Sequence, residues 1–315
     1  MGKTFNVQAL SEVLSPLTHA KGTEGNESLI AREPVTTPAG VRYIPHISGN
    51  AIRHRLVREP GAWFLCDEWE LASKLSMSQL NFIFHGGSLT EGGGRENTSR
   101  IADMERLFPL IRLLGGSLPS QILAGSLLAW RGTLVCEENR ARIAQLVPDD
   151  WISPARLRPA ESFVDSYQYT RGDAGKSASS LLHPGGEEIP SNLMIFSGQC
   201  VLAGAMFLHG FVLQNVSDLE LGALLLSLRL WQGRGGTVGG QSARGHGRLK
   251  TYLHVAPDGI DEESVIAAYI AHVRAVKDEA VNFLNTCFAP PKEEKAPKPK
   301  KGGKHAPAQG DLLPQ

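Results

Sequence analysis

Hydrophobic residues recur with helical period most clearly over Asp218–Trp231. Leu221, Leu224, Leu225 and Leu228 stand there at i, i+3, i+4 and i+7 and predict an amphipathic helix capped by Asp218. The same period runs through Asp261–Leu284 (Val265, Ile266, Tyr269, Ile270, Val273, Val276, Val281) and Ile101–Leu114 (Met104, Leu107, Leu110, Ile111). It also runs through residues 66–84 (Leu71, Leu75, Leu80, Phe84). Shorter apolar runs predict strands at Val41–Ile44, ending at Pro45, at Leu127–Glu137, and at Arg248–Val255. Residues 4–18 read as a first strand or a short helix leading into Leu17-Thr18-His19. Polar stretches between these elements predict loops: Lys21–Pro34, His85–Arg100 with five glycines, the proline-punctuated 139–165, and Tyr167–Pro190.

Leu193–Leu213 contains no Asp, Glu, Lys or Arg and is long enough to span a bilayer, for which about 20 apolar residues suffice. Ser197, Gly198, Gln199, Gly204, His209 and Gly210 interrupt it, while Val201, Phe207, Phe211 and Val212 favour extended backbone. Two antiparallel strands, over 194–203 and 205–214, fit this pattern better than a membrane helix.

Composition narrows the class. The 315 residues suit one large domain or two modest ones, and 42% hydrophobic residues supply a core. Cys66, Cys136, Cys200 and Cys287 lie far apart, with no CxxC pair and no metal-ligand spacing. With no signal-peptide pattern, the expected compartment is a reducing cytoplasm. Net charge is zero, which does not advertise nucleic-acid binding, so the placement of the charges must decide. After Pro290, six lysines among Pro, Gly and Ala predict a disordered basic tail over 289–315.

Two stretches concentrate chemistry. Gly233–Lys250 holds seven glycines and four Arg or Lys in eighteen residues, with no acid. Glycine permits positive φ and close backbone approach, so dense glycine beside fixed cations suggests a surface moulded to a polyanion; a mobile linker is the rival reading. A nucleotide P-loop is excluded. Gly235–Ser242 reads GxxxxG-Gln-Ser, with Gln241 where the phosphate-binding lysine belongs, and it follows a helix and opens a strand, the reverse of a P-loop. The second stretch is Ile44–Leu56, where Ser48 or Asn50 can cap a following helix. Ile52 and Leu56 share one face of that helix, with His54, Arg55 and Arg58 on the opposite side. The ten histidines form no HExxH and no compact cluster, and no nucleophile triad assembles.

The order of these pieces is telling: a strand ending in Ile-Pro, then Ser-Gly-Asn and an Arg-rich helix. Far downstream come paired strands, the Leu-Glu-Leu-Gly-Ala-Leu-Leu helix, and Gly-Gly-Gln-Ser-Ala-Arg-Gly-His-Gly-Arg. Over about residues 5–280 this resembles the RAMP superfamily of CRISPR-associated proteins, in particular the backbone subunit that polymerises along a guide RNA. It looks most like the type IV backbone protein on its Ile-Ser-Gly-Asn-Ala-Ile-Arg-His-Arg segment and size. The resemblance implies an α+β fold, a modified RRM (ferredoxin-like) palm over 1–288 with an inserted helical region at about 60–130 and a thumb hairpin at about 167–190. It implies crRNA, a target nucleic acid, further copies of the chain and other CRISPR effector subunits as partners, with no membrane contact, cofactor or metal. The RNA contacts it implies are Ser48, Gly49, Asn50, Arg53, His54, Arg55 and Arg58, with Gly239, Gly240, Gln241, Arg244, Gly245, His246 and Arg248, and Arg171 and Lys176 on the thumb.

One departure bears on chemistry. Relatives in type III complexes cut target RNA with an aspartate in the loop before the first Ile-Pro strand. Here that position falls on Asn26 or Glu27, and residues 22–33 contain no Asp. The expectation is binding without cleavage. The competing readings are a metal-dependent endoribonuclease using Glu27 and Asp165, a guide-processing ribonuclease using His19, His46 or His54 for acid–base work, and a protein whose Gly-rich loop grips a small anion.

Overall fold

The computed structural model describes residues 2–25, 27–88, 98–119, 121–147, 151, 156–170 and 195–288. Its first element, β1 (Lys3–Val13), settles the ambiguity at the N-terminus. Phe5, Val7, Ala9 and Val13 are buried at period two, which an extended chain achieves and a helix does not. β2 (Ala20–Glu24), β3 (Glu27–Ile30) and β4 (Arg32–Thr37) replace the loop expected over Lys21–Pro34, and β5 (Gly40–Ile47) extends the expected strand at both ends. β2 is exposed along its whole length and is held to β3 by backbone pairing, so no apolar alternation marks it.

α1 (Gly49–Ile52) continues through π-helical turns at Arg53–Arg58 into α2 (Glu59–Glu68). The helix expected over 66–84 is therefore two pieces. After α2 the chain passes through Glu70 and Ser73 at φ 54° and 61°, then restarts as α3 (Met77–His85) behind a Ser76–Gln79 capping box. The helix expected over Ile101–Leu114 divides at Pro109, which lacks the N–H to continue the ladder, into α4 (Thr98–Leu107) and α5 (Pro109–Leu114). β6 (Gly116–Leu118) and β7 (Gln121–Leu123) form a small hairpin, and the expected strand at 127–137 is two short ones, β8 (Leu127–Ala129) and β9 (Gly132–Leu134).

Then follow α6 (Arg140–Ile143), β10 (Val164–Thr170), β11 (Ile195–Val201), β12 (Met206–Val216), α7 (Asp218–Gly233), β13 (Leu249–Ala256), α8 (Glu262–Ala275) and α9 (Lys277–Cys287). The cap of α7 is Ser217 rather than Asp218; it forms a capping box with Glu220. Over the expected 261–284 helix, Val276 separates α8 from α9.

The principal sheet runs β13-β1-β12-β9-β5-β4, with β8 also on β12. Taking β1, the α1–α2 helix, β9, β12, α7 and β13 in turn gives a βαββαβ unit. Its strands neighbour one another antiparallel in the spatial order fourth, first, third, second, a ferredoxin-like arrangement within an α+β fold. β11 and β12 form where the sequence placed two strands, but they are not partners. The chain turns at Gly204 (φ 88°) and leaves a four-stranded sheet, β10-β11-β3-β2, to enter the principal one. α7 is buried over Glu220–Leu228 between the sheet and its neighbouring helices, and a Cβ on Gly222 would lie 2.3 Å from the Val265 carbonyl of α8. Trp69 fastens the α2 end to the same layer through Nε1, 2.9 Å from the Val273 carbonyl. Among the described residues no helix is long and apolar enough to cross a membrane.

Candidate nucleic-acid interface

The Gly-rich segment between α7 and β13 is not a linker. Val238 is wholly buried and its N–H donates to the Gly247 carbonyl (2.9 Å), while Leu249 N–H donates to Gly236 (2.8 Å), so the loop closes on itself. A second set of bonds ties it to the chain that leaves β1. Gly247 N–H donates to the Pro16 carbonyl (2.8 Å), Arg248 N–H to Ser15 Oγ (3.0 Å) and Gly240 N–H to the Thr18 carbonyl (2.7 Å), and Thr18 Oγ1 donates back to Gly240 (2.8 Å). Two glycines are obligatory. Gly239, at φ 82°, brings its Cα so close that a Cβ would sit 2.2 Å from the Thr18 carbonyl oxygen, and at Gly247, at φ 80°, the gap to Val238 would be 2.0 Å. What this framework presents to solvent is one short turn, Ser242–Arg244, entered through Gln241 in left-handed geometry (φ 61°) and left through Gly245; Arg244, Gly245 and Arg248 are exposed.

That turn leans on the antiparallel β10–β11 pair. The Arg244 guanidinium lies 3.8 Å above the Tyr169 ring and donates to Gln241 Oε1, whose Nε2 donates to Tyr169 Oη (3.1 Å). Tyr167 and Tyr169, two apart on β10, project to one side. His246 meets Tyr167 edge-on at 5.2 Å, Tyr167 and Tyr169 are parallel at 5.9 Å, and Tyr169 stacks on Phe196 of β11 at 5.3 Å. Burial, then Arg244, lowers the His246 pKa, and burial with Tyr169 beside it raises that of Tyr167. Sequence reasoning passed over Tyr167, Tyr169 and Phe196, placing Tyr167 at the start of a polar arm. The available signal was the period-two Tyr-Gln-Tyr.

The start of α1 adjoins this surface through consecutive residues. Thr18 holds the glycine loop, and the next residue, His19, accepts through Nε2 the N–H of Ser48 (3.0 Å). Ser48 is the N-cap, its Oγ accepting from Ala51 N–H (3.2 Å), so Asn50 is not; Gly49 abuts β8, where a Cβ would lie 3.1 Å from the Ala129 carbonyl. Ile52 and Leu56 are buried together as the spacing required. The basic residues, however, divide. The π-helical turns, bonded i→i+5, rotate Arg58 inward until it is 5% exposed, and Arg53, His54 and Arg58 line a cavity of about 430 Å³ with Asn50. Arg55 points elsewhere, paired with Glu59 beside Trp63 and Trp231. Burial depresses the Arg53 pKa and, together with Arg53, takes Arg58 down to about 10; burial also lowers His54, against the pull of Glu59.

The other candidates do not converge. Glu27 of β3 faces Glu24 and Ser197 in register, whereas Asp165 lies on β10 opposite Cys200, with β11 between them. His19 and His46 meet edge-on at 6.1 Å, both lowered in pKa chiefly by burial, while His54 stacks on His85 at 5.6 Å. Among the described residues no group of three or more His, Cys, Asp or Glu could hold a metal ion. Asn26, Arg171, Lys176 and the 289–315 tail lie outside the described residues.

No protein-family model matches the chain, and no curated protein matches it. Among solved structures it is similar to a chain of a Type IV-B CRISPR complex, with a TM-score of 0.54 and 17% identity, over 82% of this chain and 92% of that one. At that identity the likeness is one of fold. It joins the α+β, ferredoxin-like architecture built here from β1, β9, β12 and β13 to a protein of a CRISPR assembly.

Proposed function

We propose that this chain is a guide-RNA-binding backbone subunit of a CRISPR effector complex. It lies in several copies along crRNA beside other subunits and presents the guide for pairing with a target nucleic acid, without cutting. The observation that carries this reading is the exposed Ser242–Arg244 turn, on a loop pinned through Thr18 and Val238 and set against the Tyr167–Tyr169–Phe196 ring row. A subunit that serves any guide must be blind to sequence, so it contacts phosphates with arginines and backbone groups and stacks on bases without reading their edges. The turn supplies those chemistries, and Ser48–Asn50 lies beside it through the Thr18–His19 step. The fold likeness to a Type IV-B CRISPR complex chain supports the type IV assignment.

In this reading residues 1–288 form the palm with its helical insertion at about 60–130. The thumb at about 167–190 overlaps the end of β10, and its residues 171–190 lie outside the described residues. The 289–315 tail adds sequence-blind cationic charge.

Co-purification tests it first. The protein should retain nucleic acid at low salt, seen as a raised 260/280 nm absorbance ratio, and bind unrelated RNA sequences with equal affinity. Strong preference for one sequence would sink the backbone role. For cleavage, the loaded protein is incubated with Mg²⁺ and complementary RNA; regularly spaced cuts that vanish in Glu27→Ala would overturn the non-catalytic reading.

A further inference from the structure

The cavity beside α1 differs from the rest of the surface in its charge balance. Arg58 is almost fully buried, and its Nη2 donates to the Leu114 (3.3 Å) and Gly115 (2.9 Å) carbonyls, which fixes the guanidinium. Its other terminal nitrogen, Nη1, is buried with no hydrogen-bond partner among the described residues, and so is Nε of Arg53. Both arginines line the cavity, and no acidic side chain among the described residues does. Buried arginines elsewhere in proteins are paired, because removing a cation from water without a counter-charge is costly. Here burial disfavours the charge on both arginines, and Arg53 further disfavours that of Arg58. The remaining wall comes from His54, stacked on His85 of the helical insertion, and from Ser117 and Gly86 of that insertion; a Cβ on Gly86 would stand 3.3 Å from the Arg58 guanidinium. At about 430 Å³ the cavity lies within the roughly 300–1,000 Å³ range of small-molecule sites, larger than one inorganic anion needs.

We infer that this cavity is a discrete phosphate-ester site, in which one phosphate accepts from Arg53 Nε and Arg58 Nη1 while its ester substituent occupies the space toward His54, His85 and Ser117. The inference adds to the proposed RNA role a specific pocket walled by residues 85–87 and 114–117, separate from the Arg244 turn. Two donors in fixed positions suit the geometry of a phosphate, and desolvation strengthens each charge-assisted bond. The site takes either a phosphodiester of the bound RNA or a free phosphate ester; the ligand chemistry is the same.

The test begins with protein stripped of nucleic acid. Inorganic phosphate is titrated at constant ionic strength against chloride, with thermal unfolding as readout. The expected result is a saturable, phosphate-specific rise in Tm of several degrees that is absent in Arg53→Gln. Arg58→Gln should behave alike, and Arg53→Gln, at a half-buried position, covers the case in which the Arg58 variant does not fold. No phosphate-specific rise in the parent, or a full rise in Arg53→Gln, overturns the site. A second arm assigns the source. RNA carrying one neutral methylphosphonate at successive linkages should show one sensitive position, about tenfold weaker for the parent and indifferent for Arg53→Gln. If the phosphate titration succeeds and no linkage is sensitive, the ligand is a free ester. If RNA binding fails altogether while phosphate still binds, the site stands and the backbone-subunit reading falls.

Discussion

The glycine turn and the arginine cavity are both cationic and both poor in acids, yet they are built on opposite terms. Around Gly239 and Gly247 the backbone hydrogen bonds close within the protein, to Pro16, Thr18 and Val238, and Arg244 and Arg248 stand exposed. Around Arg58 the charge is inside, and two donors, one of them on Arg53, have no acceptor among the described residues. The backbone of the first region is complete without a ligand, so glycine substitutions there strike the fold. The second is incomplete without one, so substitutions there strike binding. A cationic stretch in a sequence does not reveal which kind it is; only the accounting of donors does.

The largest expected effect breaks the first half of that comparison directly. Gly239→Ala forces a side chain into left-handed backbone and against the Thr18 carbonyl, and should cost about 4 kcal/mol of stability, read by chemical denaturation. Arg53→Met removes a half-buried cation whose Nε has no partner among the described residues, and should leave stability within about 1 kcal/mol of the parent. If the two costs are equal, the contrast between a finished and an unfinished site is wrong.

The next effect separates buried histidine from site histidine. His209 lies fully buried in β12 with its Nε2 2.8 Å from Ser11 Oγ, and burial takes its pKa down to about 4 from the usual 6.5. The unfolded chain binds this proton where the folded one does not, so stability is fully present above about pH 6.5 and is lost as pH falls toward 4. At about 1.4 kcal/mol per pH unit the loss approaches roughly 3 kcal/mol. His209→Gln should flatten the stability curve across that window; an unchanged slope would place the acid sensitivity elsewhere, His54 and His19 included.

Much of the principal sheet and of α7 was legible, because Leu221, Leu224, Leu225 and Leu228 and the apolar residues of β12 are buried, and burial demands apolar side chains at those positions. β2 was not, since an exposed strand held by backbone pairing leaves no trace in side-chain pattern. The breaks at Trp69–Ser76 and Pro109 were written in a capping box and a proline, but leucine spacing outvoted them. At the site, the Ser48 cap, the Ile52–Leu56 face and the pinned glycines were readable. Arg58's inward turn depends on the π-helical register at 53–58, which no residue spacing announces, whereas Arg55's neutralisation could have been seen from Glu59 four residues on. Tyr169 escaped because its role arises only when β10 is folded against a turn 75 residues later, at Arg244.

That partnership yields the two smaller effects, which sharpen the comparison from the ligand's side. Tyr169→Ala removes both the stacking face and the seat of Arg244, and should weaken RNA binding by about 2 kcal/mol, measured by fluorescence anisotropy. Tyr169→Phe keeps the ring and loses only the Gln241 bond, and should retain most of the affinity.

Arg244→Ala isolates the charge. A phosphate contact at this exposed arginine contributes through counterion release, so its loss should reduce the slope of log K against log salt by about 0.7 for a single strand, alike for every RNA sequence. At physiological salt the loss should be about 1.5 kcal/mol, close to tenfold. Because Arg244 also rests on Tyr169, a weaker affinity with an unchanged salt slope would mean that the arginine serves the ring row and touches no phosphate. The glycine turn would then be a scaffold for stacking, and the phosphate contacts would have to come from the arginine cavity and the start of α1.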